Sequence, residues 1–238
     1  MPLSALIFDV DGTLADTEDA HRLAFNAAFA DYGFHWKWDR DVYTRLLAVT
    51  GGRARIRHFL EGAAPDMLER ADIGDVIASL HKCKTDHYVA ALNSGGVPLR
   101  PGVERLLREA HAESGLRLAI ATTTTPVNIQ ALIENTLGAE ALDWFDAIGA
   151  ADCVENLKPA PDVYLWVLDR LGLDAADCLA LEDSANGLKA ASAAGLKTVI
   201  TACPYTAHHD FGGALRVLGG LGDDVDVGTL RGWHGAPG

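Results

Sequence analysis

Short apolar runs alternate with longer stretches in which apolar residues recur every three or four positions. Leu3–Phe8, Leu118–Ala121, Ala147–Gly149, Cys178–Leu181 and Lys197–Ile200 read as short buried strands. Between them, Leu106, Leu107 and Ala110, then Val163–Leu171, then Ala185–Ala194, carry helical periodicity. Strands that alternate with helices predict an α/β fold, a Rossmann-like parallel sheet with right-handed crossovers.

One long interval breaks the alternation. From Ala15 to about Asn93 no segment has strand character. Thr17 is placed to cap a helix carrying Leu23, Ala24, Ala27, Ala28 and Phe29, with Gly33 as its stop. Asp39 is placed to cap a second through Val42, Leu46 and Leu47, and Ile56–Leu60, Pro65–Arg70 and Ile73–Leu92 continue the helical pattern. The prediction is an all-helical domain, residues 16–95, inserted into a core made of residues 1–15 and 96–238. Asn93–Gly96 is the return linker. Gly232–Gly238 is expected to fray.

Composition narrows the partners. The 238 residues are 49% hydrophobic, enough for a sizeable core, and carry a net charge of −13. Such a surface suits neither nucleic acid nor anionic membranes. The charge is uneven, with a net of −2 over residues 16–95 and −11 elsewhere. Cys83, Cys153, Cys178 and Cys203 have no metal or redox spacing in sequence, so reduced thiols are expected. The chain starts without a basic region or long apolar segment, and no stretch is long enough to span a membrane. A cytoplasmic protein is expected.

The chemistry gathers at the predicted strand ends, where open α/β sheets place their sites. Leu6–Phe8 runs into Asp9-Val10-Asp11-Gly12, which reads either as a strand with an Asp-Gly turn or as a pair of carboxylates awaiting a cation. Thr122–Thr125 ends the second strand and opens a helix at Pro126. Capping explains part of this, but four successive hydroxyls exceed what a cap needs, and phosphate binding is the other reading. Lys158 lies between Leu157 and Pro159-Ala160-Pro161, held out of any helix. Glu182-Asp183-Ser184 ends the fourth strand, as helix cap, cation site or both. In the insertion, Gly51-Gly52 precedes Arg53, Arg55 and Arg57, a basic run suited to phosphate or to a solvated helix start. Lys82 and Lys84 read as surface-helix residues as readily as ligands.

Taken together, these four stretches resemble the motifs of the haloacid dehalogenase superfamily, in the same order and over nearly the whole chain. The resemblance implies that Asp9 is a nucleophile and Asp11 a general acid/base. It implies that Thr122 and the Thr123 backbone N–H contact a phosphoryl group, and that Lys158 pairs with the phosphate and with Asp9; Asn128, within the next turn, is in reach of the substrate. Mg²⁺ is the implied cofactor, held by Asp9, the Asp11 backbone carbonyl, Asp183 and, directly or at one remove, Glu182. Within the superfamily, Asp16–His21, Thr50–Arg55 and His81–Thr85 most resemble the CbbY-like group, which includes xylulose-1,5-bisphosphate phosphatases. That implies a monomer acting on a small phosphorylated sugar, with Glu18, Gly51, Gly52, Arg53 and Arg55 as substrate-binding residues. A β-phosphoglucomutase-like mutase, or a phosphatase for another small metabolite such as phosphoglycolate, is the alternative. A phospho-receiver domain would be about half this length and lack the insertion.

Overall fold

The computed structural model describes residues 3–236. It has two compact units: one ends at Asp16 and resumes at Pro98, and the other is Thr17–Val97. The first contains a six-stranded parallel sheet of β1 (Ala5–Phe8), β2 (Arg117–Ala121), β3 (Phe145–Gly149), β4 (Cys178–Glu182), β5 (Lys197–Thr201) and β6 (Arg216–Leu218). The spatial order is β3-β2-β1-β4-β5-β6. The direction of winding therefore reverses between β1 and β4, where a doubly wound sheet opens its crevice. Phe8 pairs with Ile120 on one side and Leu181 on the other, so the register carries Asp9 into line with Ala121 and Glu182.

The second unit is helical: α1 (Glu18–Asp31), α2 (Arg40–Leu46), α3 (Gly52–Ala63) and α4 (Ile73–Asn93), with a 3₁₀ turn at Pro65–Glu69 where an α-helix was expected. Its core is aromatic. Phe25, Phe29, Trp38 and Tyr43 are fully buried, and the Phe25 and Trp38 rings lie 4.5 Å apart. The Asn26 amide fixes Trp38 from both sides, accepting its N–H at 2.7 Å and donating to its carbonyl at 2.9 Å. Asp39 caps α2 by accepting from the Val42 N–H at 2.8 Å, as its position predicts. Thr17 does not cap α1 through its side chain. Its backbone is already helical (φ −83°, ψ −13°), whereas a capping oxygen needs the extended conformation to reach back to the free amides.

Around the sheet lie α5 (Val103–Ala112), α6 (Pro126–Thr136), α7 (Asp162–Leu171), α8 (Ala185–Ala193) and α9 (Val227–Gly235). Alternate strand residues bury opposite ways. Ala5, Ile7, Ala119, Ala121 and Ala180 pack with Val163, Tyr164 and Val167 of α7 and Ala190 and Ala191 of α8. Leu6, Phe8, Leu118 and Ile120, the alternate residues, are buried as well. The chain leaves and re-enters this unit through adjacent strands: Ala15 bridges Leu99, and the Arg100 N–H donates to Leu14 O at 2.8 Å.

Two parts of the C-terminal region differ from expectation. β6 is an exposed edge strand without an apolar run, so periodicity did not mark it. The tail does not fray through Gly235: α9 occupies Val227–Gly235, and the last two residues of the expected tail lie outside the described residues. Glycines at 228, 232 and 235 lower helix propensity, but docking overrides it. Asp226 caps α9 through the Thr229 N–H at 2.7 Å, Leu230 is fully buried, and Arg231 pairs with Glu113 and donates to Leu3 O. Leu230→Ala should therefore destabilise the protein by about 2–4 kcal/mol in urea unfolding. A change under about 0.5 kcal/mol would mean that the tail is not part of the core.

Candidate active site

The centre of the site is Lys158, between β3 and α7 and almost fully buried. Its ammonium has three N–H donors and three acceptors: Asp9 Oδ1 at 2.7 Å, Ala121 O at 2.8 Å and Glu182 Oε1 at 2.5 Å. Those acceptors stand at the carboxyl ends of β1, β2 and β4. Burial alone disfavours the ammonium, but Asp9 and Glu182 outweigh it and hold Lys158 well above the ordinary lysine range. Burial pushes the Asp9 carboxyl up to about 7, against the pull of Lys158. The negative charges of Glu182 and Asp11 add to the rise.

Glu182 is fully buried and well occupied. Oε1 also accepts from Tyr164 Oη–H at 2.7 Å, and Oε2 accepts from the Asp183 N–H at 3.2 Å. Burial, followed by the charges of Glu182 and Asp9, raises the Tyr164 phenol well above its usual value, so it remains a donor. Gly187 makes room for this carboxylate: a Cβ there would lie 1.9 Å from Oε2. Asp183 sits alongside, with Oδ2 accepting from Thr206 Oγ1 at 3.2 Å and Cys203 Sγ at 3.3 Å. Burial, then Asp183, pushes the Cys203 thiol up to about 12. The cap of α8 is Ser184, whose hydroxyl accepts from the Gly187 N–H at 3.0 Å, so capping does not occupy Asp183.

Gly12 follows Asp11 with φ +84°, a left-handed conformation, and a Cβ there would meet the Asp183 carboxylate at 2.2 Å. The turn is held by Gly12 N–H to Ala15 O at 2.8 Å and by the buried Arg100, which donates to the carbonyls of Gly12, Thr201, Ala202 and Gly219. Thr122, buried at the end of β2, accepts from the Thr124 N–H at 3.3 Å. Asn128, also buried, donates to Thr124 Oγ1 at 2.9 Å.

Ligand oxygens of Asp9, Glu182 and Asp183 all lie within 4.8 Å of one another. Of these three buried carboxylates Lys158 pairs with two, Asp9 and Glu182, which leaves an excess of negative charge in low dielectric that a cation would relieve. The donors are all oxygen, which suits a hard divalent ion such as Mg²⁺.

The haloacid dehalogenase-like hydrolase family profile matches residues 3–195. The chain belongs to this family. It is 51% identical to the plasmid CbbY protein of Cupriavidus necator, over 98% of this chain and 97% of that one. The structure of CbbY from Rhodobacter sphaeroides with phosphate superposes with a TM-score of 0.86 at 41% identity, covering 96% of this chain and 99% of that one. A variant of the same protein, solved with xylulose-1,5-bisphosphate, matches with a TM-score of 0.87 at the same identity and coverage.

The hydrolase core brings Asp9, Lys158, Glu182 and Asp183 together, with Thr122 one residue beyond the β2 carbonyl that Lys158 holds. Tyr164, Arg100, Cys203 and Thr206 escaped sequence reasoning. Tyr164 falls on the apolar face of α7 and reads as core, and Arg100 lies far in sequence from the carbonyls it binds. Within the helical unit, Tyr43 Oη donates to Glu18 Oε2 at 3.0 Å and accepts from Arg55 Nη1 at 3.0 Å. Arg55 also donates to Leu46 O and Val49 O, whereas Arg53 is exposed. Gly51 has φ +90°, and a Cβ on Gly52 would strike the His81 ring at 2.5 Å. The direction that a side chain on Gly52 would take is thus filled by His81. Burial, then Lys84, Arg53, His21 and Arg55, pulls His81 down to about 4, so it is neutral. Lys82 is a surface residue paired with Asp86 at 2.8 Å. Lys84 is buried, with Nζ 2.7 Å from His21 Nδ1 and over the Phe25 and Tyr88 rings.

Lys158→Met should expose the strain that the ammonium relieves. The folded variant would hold a proton on Asp9 at pH values where the unfolded chain, with Asp near 3.8, has lost it. Stability should then fall as pH rises. The expected loss in metal-free urea unfolding is about 3–5 kcal/mol at pH 8 and clearly less at pH 5. A loss independent of pH would contradict this reading of the charges.

Proposed function

We propose that this hydrolase is a Mg²⁺-dependent phosphoric monoester hydrolase that removes the 1-phosphate of xylulose-1,5-bisphosphate, yielding xylulose 5-phosphate and phosphate. The observation that carries the chemistry is the buried Asp9–Lys158 pair, at 2.7 Å, on the crevice where the sheet reverses. The substrate assignment is supported by the CbbY relatives and by the bisphosphate in the R. sphaeroides complex.

Asp9 is the nucleophile. Lys158 opposes the effect of burial and keeps a useful fraction of Asp9 ionised near neutral pH. The Asp9 carboxylate attacks phosphorus, the bond from phosphorus to the sugar oxygen breaks, and Asp11 gives that oxygen its proton. Asp11 then takes a proton from water as the water attacks the aspartyl phosphate. Phosphate leaves and the Asp9 carboxylate is restored. The Thr122 hydroxyl and the Thr123 N–H hold phosphoryl oxygens, Lys158, its three donors already engaged, lends positive charge beside them, and Asn128 orders the Thr122–Thr124 turn through Thr124. Asp9, Asp183 and the Asp11 carbonyl would hold the Mg²⁺. Glu182, whose oxygens already serve Lys158, Tyr164 and Asp183 N–H, is a positioning residue. A bound Mg²⁺ supplies positive charge that offsets the repulsion between a phosphate dianion and a carboxylate.

In the helical unit, Glu18 and Arg53 are assigned to substrate recognition, with Arg53 directed at the second phosphate. Arg55 holds the end of α2 and the turn after it through Tyr43 Oη, Leu46 O and Val49 O. Phosphate release measured over a set of sugar mono- and bisphosphates tests the proposal. Xylulose-1,5-bisphosphate should give the highest kcat/KM, chelation should abolish turnover, and Asp9→Asn should leave less than about a thousandth of it. A preference of about 100-fold for phosphoglycolate, or interconversion of hexose phosphates without phosphate release, would defeat the assignment.

Arg53→Ala should raise KM for the bisphosphate by about 10-fold or more while changing KM for a monophosphate far less, since it removes one charged contact. Equal effects on both would exclude Arg53 from phosphate recognition.

A further inference from the structure

A second set of metal-type ligands lies in the helical unit, outside everything assigned above. Asp31 is the last residue of α1, and Cys83 and His87 stand one turn apart on α4. A carboxylate oxygen, the thiol sulfur and an imidazole nitrogen all lie within 4.8 Å of one another. Cys83 Sγ is 3.5 Å and His87 Nε2 2.7 Å from the same oxygen, Asp31 Oδ2. The side chains of His87 and Asp31 are 38% and 55% exposed, so an ion can reach them.

We propose that Asp31, Cys83 and His87 form a binding site for a borderline-soft divalent ion of the zinc type, clamping the end of α1 to α4. The donor set separates this site from the hydrolase centre. Sulfur, nitrogen and oxygen favour Zn²⁺ and its neighbours in the first transition row, whereas Mg²⁺ prefers oxygen alone. The sulfur–oxygen separation is close to what such an ion needs. Zn–S of about 2.3 Å and Zn–O of about 2.0 Å in a tetrahedron place sulfur and oxygen about 3.5 Å apart, the separation found between Cys83 and Asp31. The imidazole and carboxylate must open by roughly half an ångström from their hydrogen bond to reach a tetrahedral edge. Both side chains are exposed, so a rotation suffices. The neighbouring cation, Lys82, is paired with Asp86 at 2.8 Å, which offsets its repulsion of an incoming ion. Binding releases the thiol proton and leaves a fourth position for water.

Cobalt(II) is the probe, because a cobalt–thiolate bond gives a charge-transfer band that oxygen ligands cannot. It is titrated into full-length protein in excess Mg²⁺. One equivalent should bind with such a band. Cys83→Ser should remove the band, and His87→Ala should weaken binding by about 100-fold or more. Zn²⁺ should displace the cobalt and raise the thermal unfolding midpoint of the wild type but not of Cys83→Ser. Far-UV circular dichroism confirms that both variants fold. The absence of a band in the wild type, or its persistence in Cys83→Ser, would overturn the proposal and leave an ordinary Asp31–His87 ion pair.

Discussion

A single ammonium group joins the ends of three neighbouring strands. Lys158 donates to Ala121 O on β2, to Asp9 after β1 and to Glu182 at the end of β4. Each of these groups is buried, and each would be expensive to bury alone. The sheet register brings them into one row, and the lysine makes the row tolerable. Remove the cation, and two buried carboxylates lose the positive charge that pairs with them. The same contact sets the chemistry, because it decides how far the Asp9 carboxyl can rise under burial.

The surrounding sequence is arranged to permit that row. Gly12 and Gly187 lack the Cβ that would collide with Asp183 and Glu182, respectively. Tyr164 and Ser184 supply hydroxyls to the site: the first satisfies Glu182, and the second caps α8 so that Asp183 need not. Arg100 ties the carbonyl of Gly12 to those of Thr201 at the end of β5 and Ala202 just beyond it, which fixes the turn after Asp9 from a distant point in the chain. The hydrolase is thus specified by charge and by excluded volume together.

Much of this was legible in the sequence, and what was not has physical causes. The buried strands announced themselves as apolar runs because both of their faces are covered. Asp9, Lys158 and the Glu182-Asp183 pair stood out because each interrupts such a run, or a proline-bounded loop, with charge. β6 lacked any apolar run, and α9 was hidden by its glycines, since docking through Leu230 and Arg231 outweighs their low propensity. Thr17 carried a capping residue type in a conformation that cannot use it. Tyr164 was indistinguishable from a core aromatic, because its role depends on a carboxylate eighteen positions away. Lys84 read as a surface residue as readily as a ligand, because the stacked His21 and Tyr88 rings beside it are brought together only by packing of α1 along α4.

In the proposed reaction Asp9, held by Lys158, takes the phosphoryl group covalently. An acid quench of a single turnover, followed by peptide mapping by mass spectrometry, tests this most directly. It is best run on Asp11→Asn, in which the second step lacks its base. The account predicts a phosphoryl adduct on the peptide containing Asp9, formed no more slowly than that variant's sugar product. Sugar product released with no adduct at any time point, or an adduct on another residue, would contradict it.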